Sequence, residues 1–407
     1  MKLAPVSFSN IPLGRPLPFG LHNADGTLLA SRGYIFTERE ALDTLAAHGT
    51  LFVDPQEVRQ YRRAMEAQMH AMVNDKNTTL GQIADTQIMA PELIAAAAKT
   101  SDEYSDPDAP IDWLDMQSRA NALMRDPRSL RFMFRLDKLQ RDLSRMLRSN
   151  PDTVLFALIH LTASETRFYS ATHAMLVSVV CMLAARTVLQ WPEDRVNSLG
   201  LAALTMNISM TELQDQLAQQ SLPLSSAQVE AIDGHSLKSV DMLKNLGIQD
   251  PDWLEAVRHH HDRSPGPLTG RPPAQQMARL MQRADIFGAR MAPRATRFPL
   301  PSTAAMQGSY FDEDKKVDEA GAALVKAVGM YAPGSYVKLA SGEVAVVTRR
   351  GATPSTPRVS VVISRQGMAM AEPPPRDTAR PDFKIAAGLP AREVKVKLPL
   401  ERLLTLV

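Results

Sequence analysis

Apolar and polar positions alternate in the first part of the chain. In "RPLPFGLHNADGTLLASRGYIF" they alternate about Asp25-Gly26, a dipeptide suited to a tight hairpin turn. "TEREALDTLAAHGTLFVD" opens on a Thr-x-x-Glu cap, Thr37 to Glu40, and keeps helical spacing up to Gly49; Phe52-Val53 returns to strand pattern. A small α+β module is predicted over residues 1–60, then a helix and linker over 61–112. Its end, "KTSDEYSDPDAPID", is acidic, proline-containing and suited to solvent. From Trp113 the period becomes helical. "WLDMQSRANALMRD", "RFMFRLDKLQRDLSRMLRSN", "DTVLFALIHLTAS", "SATHAMLVSVVCMLAARTVL", "PEDRVNSLGLAALTMN", "SSAQVEAIDGHSLKSVDMLKNLG", "DPDWLEAVRHHH" and "PPAQQMARLMQRADIFGARM" carry apolar stripes at i, i+3, i+4 and i+7. They predict a helical domain over 113–300, followed by a connector over 301–329. Alternation resumes around Ser341-Gly342, with a longer loop near Pro354, and predicts three short strands in a β module over 330–407. The expected fold class is mainly α: a multi-helix bundle flanked by a small N-terminal α+β module and a small C-terminal β module.

Composition narrows the function classes. A net charge of +2 gives no electrostatic case for a nucleic-acid polymer as partner. Cys181 is the one cysteine, so no intrachain disulfide forms, and it reads as a small buried hydrophobe. The apolar run from Met175 to Leu189 carries Ser178 and Arg186 and is short for a bilayer, and "MKLAPVSFSNIPLGRP" lacks a signal-length apolar run. The expectation is a cytoplasmic protein without a membrane span.

Candidate chemistry lies in the helical region. His173, His235, His259, His260 and His261 fall there, and Asp285 lies on a later amphipathic helix. Imidazoles and a carboxylate projected from different helices of a bundle can hold iron, manganese or zinc. Each also has a plainer reading: His173 as a hydrogen-bonded core residue, His235 on a polar face, and the triple histidine as polarity at a helix end. No H-E-x-x-H or C-x-x-C spacing is present.

The order of these residues resembles the HD-GYP domain of the HD phosphohydrolase superfamily. "SATHAMLVSVV" matches the first-helix element with His173, and "IDGHSLKSVDML" the lone-histidine element with His235. "VRHHHDRSPGPLTG" resembles the His-His-Glu…GYP stretch, with His260, His261 and Asp262 in the three places and His259 a bystander. "MARLMQRADIFGARM" resembles the last motif, with Asp285 as the metal aspartate. "IPLGRPLPFGLHNADGTLLASRGYIF" and "VKAVGMYAPGSYVKLASGEVAVVTRR" look like modules that flank this domain in such proteins. The resemblance implies a helical bundle, a site of two or three metal ions, hydrolysis of cyclic di-GMP, and a role in bacterial signalling.

The chain departs from that pattern where the chemistry is most demanding. Met206-Asn207 stand in place of the His-Asp pair, Met210 in place of a phosphate-contacting lysine, and Tyr169 in place of a carboxylate four residues before His173. The GYP loop is cut to "SPGP". Asparagine is neutral and bridges two ions poorly; a thioether suits manganese or iron(II) poorly. Glu212 and Asp215, in a stretch expected on the surface, are weak substitutes. The metal ligands carried over are His173, His235, His260, His261 and Asp285, for one divalent ion or none. Arg258, Arg263, Arg283 and Arg290 are candidate phosphate contacts, Arg263 and Arg290 foremost, although helical arginines are as a rule solvated. Three functions follow from the resemblance. They are a regulatory cyclic di-GMP module with impaired turnover, an active metal-dependent phosphodiesterase with a reduced site, and a nucleotide-independent scaffold for a signalling protein.

Overall fold

The computed structural model describes residues 112–164, 166, 168–396 and 398–407, together with 3–6, 17, 19–31, 34, 36–38, 51–54 and 57 of the N-terminal segment. Its contacts divide the chain into two compact units, Met1–Asp115 and Met116–Val407.

In the first unit, β1 (Ala4–Val6), β2 (Leu21–His22), β3 (Leu28–Ala30) and β4 (Leu51–Val53) form an antiparallel sheet in the order β1-β4-β2-β3. The hairpin turn lies at Asp25-Gly26: Asn23 Oδ1 accepts from the Asp25 and Thr27 amides, and Gly26 takes φ +84°. Leu17, Phe19, Leu21, Phe36, Leu51 and Val53 fill the core beneath. The helix expected up to Gly49 lies almost wholly outside the described residues, as does the helix and linker expected over 61–112.

The second unit is built on a run of helices. These are α1 (Trp113–Arg125), α2 (Phe132–Ser149), α3 (Pro151–Ser164), α4 (Tyr169–Thr187), α5 (Glu193–Thr205), α6 (Thr211–Gln219), α7 (Ser226–Asn245), α8 (Pro251–His259) and α9 (Pro273–Met291). Caps and breakers fix their ends. Ser225 and Gln228 make a reciprocal capping box at α7, and Asp250 accepts from the Asp252 and Trp253 amides ahead of Pro251 at α8. The axis of the bundle is α4. Its residues from Tyr169 to Ala185 are all buried, and α3, α5, α6 and α9 pack around it. Among the described residues it is the one helix long and apolar enough to cross a membrane, and 89% of that apolar window is buried inside the fold. A helix apolar on every side is what such encirclement requires.

Two expectations are corrected downstream. The connector over 301–329 holds two helices, α10 (Ser302–Tyr310) and α11 (Glu319–Val328), and α11 packs on α4. The C-terminal module has five strands rather than three. These are β5 (Tyr336–Leu339), β6 (Val344–Arg349), β7 (Arg358–Ile363), β8 (Pro375–Asp377) and β9 (Ile385–Leu389), antiparallel in the order β8-β7-β6-β5-β9. β8 and β9 lack an apolar alternation of their own and exist by pairing with β7 and β5, as in Val337 opposite Gly388. A short helix, α12 (Leu400–Leu404), ends the chain.

The sheet sits against α3. Arg350 donates to Asp152 at 2.6 Å, and Gly334 passes so close to the helix that a Cβ there would lie 2.4 Å from the Phe156 carbonyl oxygen. Gly334 also takes φ +88°, so a side chain is opposed by both backbone conformation and space. Gly334→Ala is therefore expected to lower the unfolding free energy by more than about 1 kcal/mol, read by urea denaturation. An unchanged midpoint would show that this approach does not constrain the fold.

Candidate functional site

Four helices and one turn deliver the side chains. The first turn of α4 is held by Asp215, whose Oδ1 accepts from the Ser170 amide at 2.8 Å and whose Oδ2 pairs with Arg125 at 2.7 Å. The expectation of a surface position for Asp215 is corrected: it is buried and anchors this helix start, while Glu212 is exposed. His173, one turn on, is buried against α9. Its Nε2 lies 2.7 Å from Asp285 Oδ1, and its Nδ1 is buried without a hydrogen-bond partner. Donation from Nε2 to the carboxylate accounts for both.

His235 projects from α7, and His260 and His261 follow the last turn of α8. His235 Nδ1 lies 2.5 Å from the Ile232 carbonyl and His260 Nδ1 lies 2.6 Å from the Val257 carbonyl. A carbonyl only accepts, so both Nδ1 atoms carry the proton and both Nε2 atoms are bare lone pairs. Yet these two Nε2 atoms face one another at 3.2 Å, and His261 Nε2 lies 3.2 Å from that of His235. A proton on His261 can relieve one of these contacts; none is available for the other. The ligand atoms of His235, His260 and His261 all lie within 4.8 Å of one another. Two nitrogens bound about 2.1 Å from one ion at a tetrahedral angle sit about 3.4 Å apart, so the cluster fits a divalent cation.

Electrostatics agree with neutral imidazoles. Burial lowers the pKa of His260 to about 3, helped by the neighbouring His261, and burial also lowers that of His235. Burial opposes ionisation of Asp285. The hydrogen bond and charge of His173, with the charges of His260 and His261, outweigh it and bring the carboxyl to about 2. Asp285 therefore faces the cluster as a carboxylate.

The substituted positions differ among themselves. Met206 is fully buried at the end of α5. Asn207 follows it, with Oδ1 buried and without a partner. A 3₁₀ turn, Ile208–Met210, then packs on α7 through Ser209, whose hydroxyl donates to the His235 carbonyl at 2.8 Å. Met210 is half-buried. Tyr169 stacks flat on His173, ring centroids 5.7 Å apart, and its hydroxyl accepts from Arg294 at 2.6 Å.

Other expected contacts lie apart from the cluster. Asp262 is exposed and accepts from Ser264 in its own loop; His259 pairs with Glu255. Arg258 and Arg263 are exposed. Arg283 as a phosphate contact is corrected: it is buried and engaged by Glu313 and the Phe311 carbonyl. Arg290 is half-buried. It belongs to a group that was not anticipated, because Arg294 and Arg297 follow it beyond the end of α9. Burial and the like charges of Arg294 and Arg290 lower the pKa of Arg297. Among the described residues none of these three arginines has a carboxylate partner. Their spacing of four and three residues was the available signal. Such a group attracts a multivalent anion.

The buried neutral histidines set a pH dependence for the metal-free fold. The unfolded chain protonates His260 near 6.5 and the folded chain only near 3, so acidification favours unfolding. His160, lowered to about 4 by burial, acts in the same direction. Asp285 contributes stability above 3.8 that is lost only as pH falls through about 2. Stability of the metal-free protein is thus expected to fall between pH 7 and pH 5, by up to about 1.4 kcal/mol per pH unit for each group fully titrating in U alone. Chemical denaturation at several pH values reads this, and a flat profile would contradict burial of neutral imidazoles.

No family model matches the chain. Among curated proteins, Cyclic di-GMP phosphodiesterase PA4108 of Pseudomonas aeruginosa is 28% identical over 222 residues, 52% of this chain and 51% of that one. The chain thus matches about half the length of this curated relative. Among solved structures, Bd1817, described as a HDG"Y"P protein from Bdellovibrio bacteriovorus, aligns over 79% of this chain and 98% of its own, at 14% identity and a TM-score of 0.42. The chain is thus similar, over about half its length, to a cyclic di-GMP phosphodiesterase, and the order of its motifs resembles the HD-GYP pattern.

Proposed function

We propose that this domain holds a single divalent cation on His235, His260 and His261, and binds a cyclic di-GMP-class phosphodiester beside it as a regulatory module whose hydrolytic turnover is impaired. The observation that carries the reading is the pair of unprotonated Nε2 atoms facing each other at 3.2 Å. A cation placed between them turns a repulsive contact into two bonds. Asp285 supplies the negative charge, and His173 orients it through the 2.7 Å hydrogen bond. A bound dication would supply Lewis-acid attraction for a phosphoryl oxygen. Arg294 donates to Tyr169, which stacks on His173, and Arg290 and Arg297 carry like charge beside it; a group without a carboxylate partner among the described residues suits phosphate. The similarity to a cyclic di-GMP phosphodiesterase supports this ligand class.

Impaired turnover follows from the residues that stand at the His-Asp positions. Two-ion phosphodiester hydrolysis needs a ligand that bridges the ions and offsets their charge. Asn207 offers one neutral carbonyl oxygen, buried and unpartnered, which suits one ion. Met206 contributes no hard donor. The iron, manganese or zinc identity of the ion follows the mixed nitrogen and oxygen donors and is decided by analysis of the metal bound.

The test uses the full chain purified with manganese or iron(II). About one ion per chain, calorimetric binding of cyclic di-GMP, and no hydrolysis above the rate of Asp285→Ala are expected. Met206→His combined with Asn207→Asp is expected to raise the metal content towards two ions. Hydrolysis that disappears in Asp285→Ala would overturn the impaired reading in favour of a working phosphodiesterase. Absence of both metal and dinucleotide binding would leave the scaffold function.

A further inference from the structure

The turn that carries His260 and His261 is tied to the helix that carries Asp285 by one buried amide. Gln282 lies on α9, three residues before Asp285, and is 3% exposed. Its Nε2 donates to the main-chain carbonyl of Asp262, the residue after His261, at 2.6 Å. Its Oε1 accepts from Arg279 Nη1 at 2.7 Å. Arginine only donates and a carbonyl only accepts, so the amide has one orientation that satisfies both neighbours.

Arg279 is itself held from the segment after the bundle. Its Nε donates to Asp318 Oδ2 at 2.8 Å and its Nη2 to Glu313 Oε2 at 2.8 Å. Asp318 also caps α11 by accepting from the Gly321 amide at 2.9 Å. A continuous path of hydrogen bonds, charge-assisted at Arg279, therefore runs from the start of α11 through Arg279 and Gln282 to the backbone beside His261. Without it the turn would be joined to α9 by side-chain packing alone, which fixes position less sharply than a directed hydrogen bond in a buried setting.

We propose that Gln282 is a positioning residue for the metal cluster: its amide holds the His260–His261 turn against α9 and sets His261 Nε2 opposite His235 Nε2. This rests on the single-cation reading above. The segment between α10 and α11, outside every ligand-bearing element, thereby contributes to metal affinity.

The experiment measures affinity for Zn²⁺ alone by chelator competition, beside thermal unfolding of the metal-free protein. Gln282→Met removes the amide at similar volume. Gln282→Glu keeps an acceptor for Arg279 but cannot donate to the Asp262 carbonyl. Both are expected to weaken zinc binding by at least about tenfold, the usual effect of losing an outer-shell partner. The metal-free melting temperature of both variants is expected to fall, because each leaves a buried polar group unpaired, whereas Gly334→Ala, destabilised away from the cluster, is expected to keep wild-type zinc affinity. Wild-type zinc affinity in either Gln282 variant overturns the proposal. So does an equal loss of affinity in Gly334→Ala, since that marks a general loss of stability. Failure of the wild-type chain to bind zinc, with His235→Ala unchanged from it, overturns instead the single-cation reading and this inference with it.

Discussion

Two imidazole lone pairs aimed at each other inside a protein are an unstable arrangement unless something positive lies between them. In this chain the backbone enforces it. The carbonyls of Ile232 and Val257, each three residues before its histidine, take the Nδ1 protons, so His235 and His260 are locked with bare Nε2 atoms inward. The rest of the domain makes the encounter unavoidable. The core helix α4 gathers its neighbours around it, the cap at Asp250 starts α8 at the right residue, and the Ser209 hydroxyl holds the 3₁₀ turn on α7. A cation bound there stabilises the folded state by mass action, because the unfolded chain has no such cluster.

The charge around the cluster has a definite bias. Asp285 is ionised and faces the histidines, while Asn207, Met206 and Tyr169 bring no charge. Arg290, Arg294 and Arg297 stand together without carboxylate partners among the described residues. One dication with one carboxylate, beside three arginines, leaves a strong positive field for a phosphodiester. It leaves little of the negative charge that a second metal ion needs. In the proposed function, binding of an anionic ligand and impaired hydrolysis would both follow from this balance of charge. Tyr169 illustrates the exchange: its ring covers His173 and its hydroxyl engages Arg294, so it serves the packing of the site and the arginine group at once.

The helical core was legible because amphipathic spacing and caps are local signals. The eight helices read from Trp113 to Met291 all exist, with boundaries set by residues such as Ser225, Asp250 and Pro273. Besides α6, α10 and α12, the elements that escaped notice are ones whose formation depends on partners. β8 and β9 carry proline and small residues and become strands by pairing with β7 and β5. α11 is capped by Asp318, which is itself oriented by Arg279. Asp215 looked like a solvated acid and is instead the anchor of α4, because its partners, Arg125 and the Ser170 amide, are distant in the chain.

The sequence by itself determined the kinds of donor available: His173, His235, His260, His261 and Asp285 at the places where the resemblance puts metal ligands, and Met206-Asn207 where it puts a histidine and an aspartate. Those are matters of composition at motif positions and need no coordinates. The tautomers of His235 and His260 are set locally, by carbonyls three residues upstream. Which donors meet was decided only by tertiary structure, because convergence depends on crossing helices. The pairing of His173 with Asp285, the approach of the His235 and His260 nitrogens, the diversion of Arg283 into an ion pair and the bond from Gln282 to the Asp262 carbonyl all arise from such contacts. Their partners are separated by tens of residues along the chain, and no local pattern carries that information.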